Sequence, residues 1–184
     1  RRNPQGLELR VHPTLVAADH LLAQVHGSMN AVMVKSDAAG VTMYYGAGAG
    51  SEQTASAVIA DLVDQARSSD TVHRHRVPSL AFQHHAIVAL PVAAIEDVET
   101  AYYLRLDVAS LSRTLPKVLA QLGEAGVRVR QLDVLEHPDD PELNAMVVLT
   151  EPTQLRLLRP AIAALEQLPS VMGFAKTISM ESLD

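Results

Sequence analysis

Between residues 97 and 184 the chain changes rhythm repeatedly, and that succession limits its fold more than any other feature. Tyr102, Leu104, Leu106 and Val108 alternate with Tyr103, Arg105 and Asp107, the period of a half-buried strand. Ser112 to Leu122 switches to helical spacing, with Leu115, Val118, Leu119 and Leu122 on one face. Pro116 is tolerable in a first turn, and Gly123 is the expected stop. Val127 and Val129, alternating with Arg128 and Arg130, open a second strand. His137 to Pro141 reads as a turn and Met146 to Leu149 as a third strand. A second helix turns Ile162, Leu165 and Leu168 inward, with Pro160 marking a kink or a late start. A last strand covers Val171 to Met180. Strand, helix, strand, strand, helix, strand is the order of the ferredoxin-like split unit. A four-stranded antiparallel sheet with both helices on one face would bury both apolar stripes.

The preceding residues follow another plan. Leu7, Leu9 and Val11 alternate with Glu8 and Arg10, predicting a half-buried strand ended by His12-Pro13. Asn30 to Lys35 and Val41 to Tyr45 predict two strands, joined by the hairpin-like turn Ser36-Asp37-Ala38-Ala39-Gly40. Gly46-Ala47-Gly48-Ala49-Gly50 then leads directly into a helix. Its stripe of Ala55, Val58, Ile59, Leu62, Val63 and Ala66 is expected to be buried, opposite Asp61, Asp64, Gln65 and Arg67. From Ser68 to about Pro91 no period survives. The organisation expected is therefore residues 1–67, a linker over 68–96, and a second domain over 97–184. The fold class is α+β: a partial α/β unit with a mixed sheet, followed by the βαββαβ unit.

Composition excludes several classes of function. The net charge is -6, so no basic field is available to hold a nucleic-acid backbone. There is no cysteine, which removes disulfides, thiolate nucleophiles and cysteine-ligated zinc, and fits a cytoplasmic location. No apolar run approaches the roughly 20 residues of a membrane span. Arg1-Arg2-Asn3-Pro4 has no apolar stretch behind it and is not a signal peptide. The chain starts without Met and close to a strand, which reads as the later part of something longer.

The glycine loop is the main candidate for chemistry. It joins a strand to a helix N-terminus, where unpaired N–H groups and the helix dipole favour a polar or anionic ligand. Gly46, Gly48 and Gly50 would let a flat ligand approach the backbone. The dinucleotide fingerprint is not met, because Ser51 stands where the third glycine belongs, and Glu52 would repel pyrophosphate. Two readings stay open, ligand contact and a tight structural turn. His73, His75, His84 and His85 could suggest a metal, but Arg74 and Arg76 lie among them, and solvated histidines are the expectation. Asp139, Asp140 and Glu142 lack the spacing of a calcium loop. No metal site is expected. His12 and His26 are read as hydrogen-bonded structural residues, and Ser28, Ser51 and Ser56 have no context that would make them nucleophiles.

Several ordered segments resemble homoserine dehydrogenase. They are Glu8-Leu9-Arg10-Val11-His12-Pro13-Thr14-Leu15-Val16, Val25-His26-Gly27-Ser28-Met29-Asn30-Ala31-Val32, Tyr44-Tyr45-Gly46-Ala47-Gly48-Ala49-Gly50, and Thr54-Ala55-Ser56-Ala57-Val58 through Asp61. Glu99-Thr100-Ala101-Tyr102-Tyr103-Leu104-Arg105 resembles the start of that family's regulatory ACT domain. The resemblance implies the end of a catalytic domain followed by an ACT domain, in an enzyme of threonine and methionine biosynthesis. That enzyme uses NADP to interconvert aspartate semialdehyde and homoserine. It implies that Gly46, Gly48 and Gly50 lie at the cofactor site, with Gly50 matching the family's last loop glycine. It also implies that the nucleotide-binding domain, the catalytic lysines and the acids that hold homoserine lie upstream, so this chain carries no catalytic residue and would be inactive alone. Lys35 sits in a different strand and does not take that role. A dimer or tetramer is implied as well. Two departures stand out. Gln53 replaces a usual Pro, and Ser110-Leu111-Ser112-Arg113 replaces the Asp-x-Pro-Gly turn of effector-binding ACT domains. The alternative is a non-catalytic ACT-type binding and assembly module.

Overall fold

The computed structural model describes residues 1–4, 6–69, 82–136, 140 and 142–182. Its strands are β1 (Arg2–Asn3), β2 (Gly6–Leu7), β3 (Thr14–Leu15), β4 (Met29–Ser36) and β5 (Gly40–Ala47), followed by helix α1 (Ser51–Ser69). Then come β6 (Glu99–Val108), α2 (Leu111–Glu124), β7 (Val129–Glu136), β8 (Asn144–Thr150), β9 (Thr153–Gln154), α3 (Leu155–Glu166) and β10 (Val171–Met180). The α+β class holds. Two compact units emerge: Arg1–Ala17 together with Leu90–Asp184, and Ala18–Ala89. The first 17 residues, grouped by the sequence with the segment that follows them, are thus placed with the last 95 or so.

The larger unit carries a sheet in the order β3-β10-β6-β8-β7, with β9 also pairing β6. The four long strands pair antiparallel, and β3 adds to β10 in parallel. Strand alternation decides which residues enter the core. Thr100, Tyr102, Leu104, Leu106 and Val108 of β6 are all buried, whereas Tyr103, Arg105 and Asp107 are half-buried. Leu104 and Leu106 meet Val118 and Leu122 of α2, Leu158 and Leu165 of α3, and Met146 and Val148 of β8. Each such fully buried aliphatic side chain contributes roughly 1.5–3 kcal/mol.

Helix α2 departs from expectation at three points. Leu119 is exposed, and the buried stripe is Thr114, Val118 and Leu122. The helix passes through Gly123 and ends beyond it. Gly126, at φ +75°, closes it, as the Gly126 N–H donates to Gly123 O (3.0 Å) and the Val127 N–H to Leu122 O (2.9 Å). That pair of bonds satisfies the last carbonyls without needing a glycine three residues earlier. Pro116 lies past the first turn, and Pro160 likewise sits inside α3. Both prolines are on exposed faces, where the carbonyl that loses its donor can turn to water.

The predicted strand over Leu7 to Val11 is shortened to β2, and its faces are reversed. Leu9 is 65% exposed and Val11 fully so, while the Glu8 and Arg10 side chains are 9% and 11% exposed. A local cluster of charges explains the inversion. Arg10 Nη2 pairs with Glu8 (2.7 Å) and with Glu181 after β10, and Arg1 also pairs with Glu181. Mutual neutralisation is what lets these ions leave water. Upstream, the Leu7 N–H donates to Pro91 O and the Ala93 N–H to Leu7 O, both at 2.8 Å.

In the unit of residues 18–89, β4 and β5 form the expected hairpin, in register from Met29 opposite Ala47 to Ser36 opposite Gly40. His20 caps a short 3-10 turn (Leu21–Gln24) by accepting from the Leu22 N–H at 3.1 Å. The stripe of α1 is not buried as expected. Val58, Ile59, Leu62 and Val63 are exposed, since two strands and one helix supply no second layer among the described residues of this unit.

Candidate functional site

The glycine loop is set by the hairpin before it and the helix after it. Strand β5 holds Gly46 opposite Asn30, and ends at Ala47. Helix α1 starts at Ser51, and its first turn closes when the Thr54 N–H donates to Gly50 O at 3.0 Å. The N–H groups of Ser51, Glu52 and Gln53 therefore precede the intrahelical ladder.

The three glycines are not equivalent. Gly50 has φ +128°, a conformation other residues rarely adopt, and a side chain there would overlap the Gln53 amide. At Gly48 an added Cβ would lie 2.9 Å from Asn30 Cγ. Asn30 itself is anchored by donating through Nδ2 to Ser28 O at 3.2 Å. Gly46 faces open space and has room for a side chain. Crowding within the chain thus accounts for glycine at 48 and 50 without a ligand, and does not account for it at 46.

A cavity of about 730 Å³ lies against this loop, walled by Gly48 to Ser51, Thr54, Ala55, Val58 and Ile59. Its surface is backbone, small side chains and two hydroxyls, with the apolar start of the α1 stripe beyond. Glu52, in the first helical turn, opposes the positive end of the helix dipole. Such a lining fits the edge of a flat, largely uncharged ring better than a phosphate.

The other residues singled out in the sequence lie apart from this loop. Lys35 pairs with Val41 at the turn end of the hairpin. His12 belongs to the other unit. Its Nδ1 lies 3.0 Å from Ser179 Oγ and 3.1 Å from Thr14 Oγ1, so it is hydrogen-bonded. Ser51 lines the cavity; Ser28 and Ser56 do not. His73, His75 and Asp139 lie outside the described residues. Asp140 accepts from the Glu142 N–H at 2.9 Å, a turn contact. Among the described residues no group of three or more His, Asp or Glu side chains converges on a metal-sized space. No helix among them is long and apolar enough to cross a membrane.

The turn between β6 and α2, where the resemblance implied Asp-x-Pro-Gly, also takes a definite form. Ser110 is the N-cap of α2, so Ser112 and Arg113 fall in the first helical turn, with Arg113 exposed. Thr114 Oγ1 donates to Ser110 O and lies beside Ser170 Oγ, both at 2.6 Å. The Ala109 N–H donates to Ser170 O at 3.0 Å.

Sequence reasoning missed one group altogether: Glu8, Arg10, Tyr102 and Glu181, brought together from both ends of the larger unit. Burial pushes the Tyr102 phenol above its ordinary value, partly offset by the Arg10 and Arg159 charges. No local motif announces such a meeting.

Comparison with known proteins gives consistent matches. The homoserine dehydrogenase family model matches residues 3–63. The homoserine dehydrogenase of Pseudomonas aeruginosa is 45% identical over 184 residues, all of this chain and 42% of that protein. That of Corynebacterium glutamicum is 33% identical over 181 residues, 98% of this chain and 39% of that protein. The crystal structure of a homoserine dehydrogenase from Thiobacillus denitrificans superimposes with TM-score 0.85 at 42% identity, covering all of this chain and 41% of that one. The chain spans about two fifths of the length of the relatives it matches.

Proposed function

The chain belongs with the C-terminal portion of the homoserine dehydrogenase family, and from that premise we propose that it forms one wall of the cofactor site of an NADP-dependent homoserine dehydrogenase. The observation that carries the reading is the match along the whole chain at 45% identity to an enzyme of that name. The loop and its cavity fit a nicotinamide cofactor. Gly46 leaves open space beside the loop, and the cavity lining suits an uncharged ring edge. When bound, the cofactor supplies the hydride that reduces the aldehyde carbon of aspartate semialdehyde to the alcohol of homoserine.

This chain's own part is positional. The N–H groups of Ser51 to Gln53 offer hydrogen bonds at one edge of the cavity. Ala55, Val58 and Ile59 present an apolar wall that excludes water from the ring face. No residue at the loop is placed to give or take the proton at the substrate oxygen; that work falls to side chains beyond this chain. Residues 97–184 act as an ACT-type regulatory and assembly domain in a homo-oligomer, whose sheet supports the reading.

The test is a chimera. Replacing the matching portion of the Pseudomonas aeruginosa enzyme by this chain should preserve NADPH oxidation by aspartate semialdehyde. The 184-residue chain alone should show none, because orientation of both reactants is lost. A folded but inactive chimera would remove the basis of the proposal.

A further inference from the structure

Gly48 and Gly50 both stand in the wall of the loop cavity, and a side-chain amide presses on each. The two contacts differ in kind. Gln53 belongs to the first turn of the helix that Gly50 precedes, so helix formation alone brings it there. Asn30 comes from β4, the other strand of the hairpin, and its contact ties that strand to the loop.

The position of Asn30 is set twice. Its backbone stands opposite Gly46, in the last rung but one of the β4–β5 ladder, where the chain turns into the loop. Its side chain is tied down as well, with Nδ2 donating to Ser28 O at 3.2 Å. Swinging the amide away would break that bond. Gly48 fits itself to this fixed group. A Cβ built on it would stand 2.5 Å from Asn30 Nδ2, 2.9 Å from Cγ and 3.3 Å from Cβ. The bare Gly48 Cα therefore already packs against the Asn30 side chain. Gly48 has no positive φ, unlike Gly50, so its backbone alone would accept an alanine. Asn30 is what forbids one.

We infer that Asn30 is a positioning residue of the cofactor site: through Gly48 it holds the cavity wall where the nicotinamide ring is received. The inference rests on the reading of the loop as that wall. Asn30 is not among the residues that line the cavity, so it acts through the loop and not on the ring. The physical need comes from the loop's composition. Glycine loses more conformational freedom on ordering than any other residue, and this loop alternates Gly46, Gly48 and Gly50 with two alanines. Left free, it would have to be ordered as the cofactor binds. Asn30 orders it beforehand, and the saving appears as affinity.

The experiment is a double-mutant cycle between Asn30 and Gly48 in the intact enzyme that carries this chain, with the Kd for NADPH read from cofactor fluorescence. Asn30→Ala should weaken NADPH binding about tenfold. Gly48→Ala should weaken it about as much, because its methyl group displaces the amide. Together they should weaken it no more than either alone, since the added methyl group enters the space that Asn30 has left. A thermal melt of each variant verifies folding. Gly48→Ala keeps Asn30 and the hairpin, so it tests the contact even where Asn30→Ala does not fold. Additive losses overturn the role of Asn30. So does a Kd unmoved by Asn30→Ala or by Gly48→Ala while Gly50→Val raises it, an outcome that leaves the cofactor reading standing. If Gly50→Val leaves the Kd unmoved as well, the loop is no part of the cofactor site and both readings fall.

Discussion

Arg10 and Glu181, separated by 171 positions, form an ion pair in which both side chains are close to nine-tenths buried. It joins the first residues of the chain to the end of β10, beside the parallel pairing of Thr14 with Ser179. Removing one partner strands the other away from water. Arg10→Ala should therefore cost about 3–5 kcal/mol. Glu181→Gln, which keeps a hydrogen-bonding group, should cost about 1–3 kcal/mol. Urea unfolding followed at the larger unit measures both. Equal, negligible losses would show that the cluster carries no stability.

The glycines of the loop separate fold from ligand. Gly50→Val should lose about 1–2 kcal/mol from its positive φ, and in the intact enzyme should raise the cofactor KM or abolish turnover. Gly46→Val has room and should leave the melting of the chain unchanged. If it nevertheless raises the cofactor KM of the intact enzyme, the space beside Gly46 is used by the cofactor. Unchanged kinetics in both variants would reduce the loop to a turn.

How much was legible beforehand follows from where the burying partner lies. The alternation of β6, and Val118 and Leu122 of the α2 stripe though not Leu119, were readable because sheet and helices of one unit bury each other. Leu104 and Val118 meet with nothing else required. The Leu7 to Val11 alternation was equally regular and pointed the wrong way. Its inward residues are Glu8 and Arg10, and the charge that makes this tolerable stands at Glu181. Gly123 drew attention as a helix stop because glycine is a poor helix former. Yet the carbonyls were satisfied three residues later by Gly126. In the glycine loop, spacing revealed a turn at a helix N-terminus but not that Asn30 and Gln53 occupy the space over Gly48 and Gly50.

Tyr102 gives a pH dependence whose sign is fixed. Burial raises its pKa above 10.0 in the folded state. Below pH 10 the phenol is neutral folded and unfolded, and its contribution is constant. Above that, the unfolded chain loses the proton first, so stability falls as pH rises towards the folded-state value. Tyr102→Phe should show a flatter decline above pH 10 than the parent chain. Ultraviolet titration of the phenols alongside urea unfolding checks this, and parallel declines would contradict it.

The β6–α2 turn should not sense threonine. Its N-cap, Ser110, makes no side-chain capping bond, and Arg113 projects a long side chain from the first helical turn. Ordering that guanidinium on a ligand would cost roughly 0.5–1.5 kcal/mol. The sheet and helix faces that build the domain are intact, so association does not depend on the turn. Calorimetry with threonine should give no saturable heat, while light scattering should report a mass above that of a single chain. Millimolar or tighter threonine binding would contradict the first expectation, and a strictly monomeric mass the second.

The parallel addition of β3 to β10 makes residues 18–89 a guest within a host. The host unit breaks off after Ala17 and resumes at Leu90. Closing so long an excursion is cheap, because the entropy of a loop grows only with the logarithm of its length. Cutting it is not. A piece that starts at residue 97 keeps the four long strands of the larger unit's sheet, yet it bares the backbone of Ser179 and Met180 at a sheet edge. It also opens the flank that Arg10, His12 and Pro13 close. An unguarded edge is a template for pairing with other chains. The beginning of this chain thus serves its end as a guard against self-adhesion, and a ferredoxin-like half excised by its pattern alone would lose it.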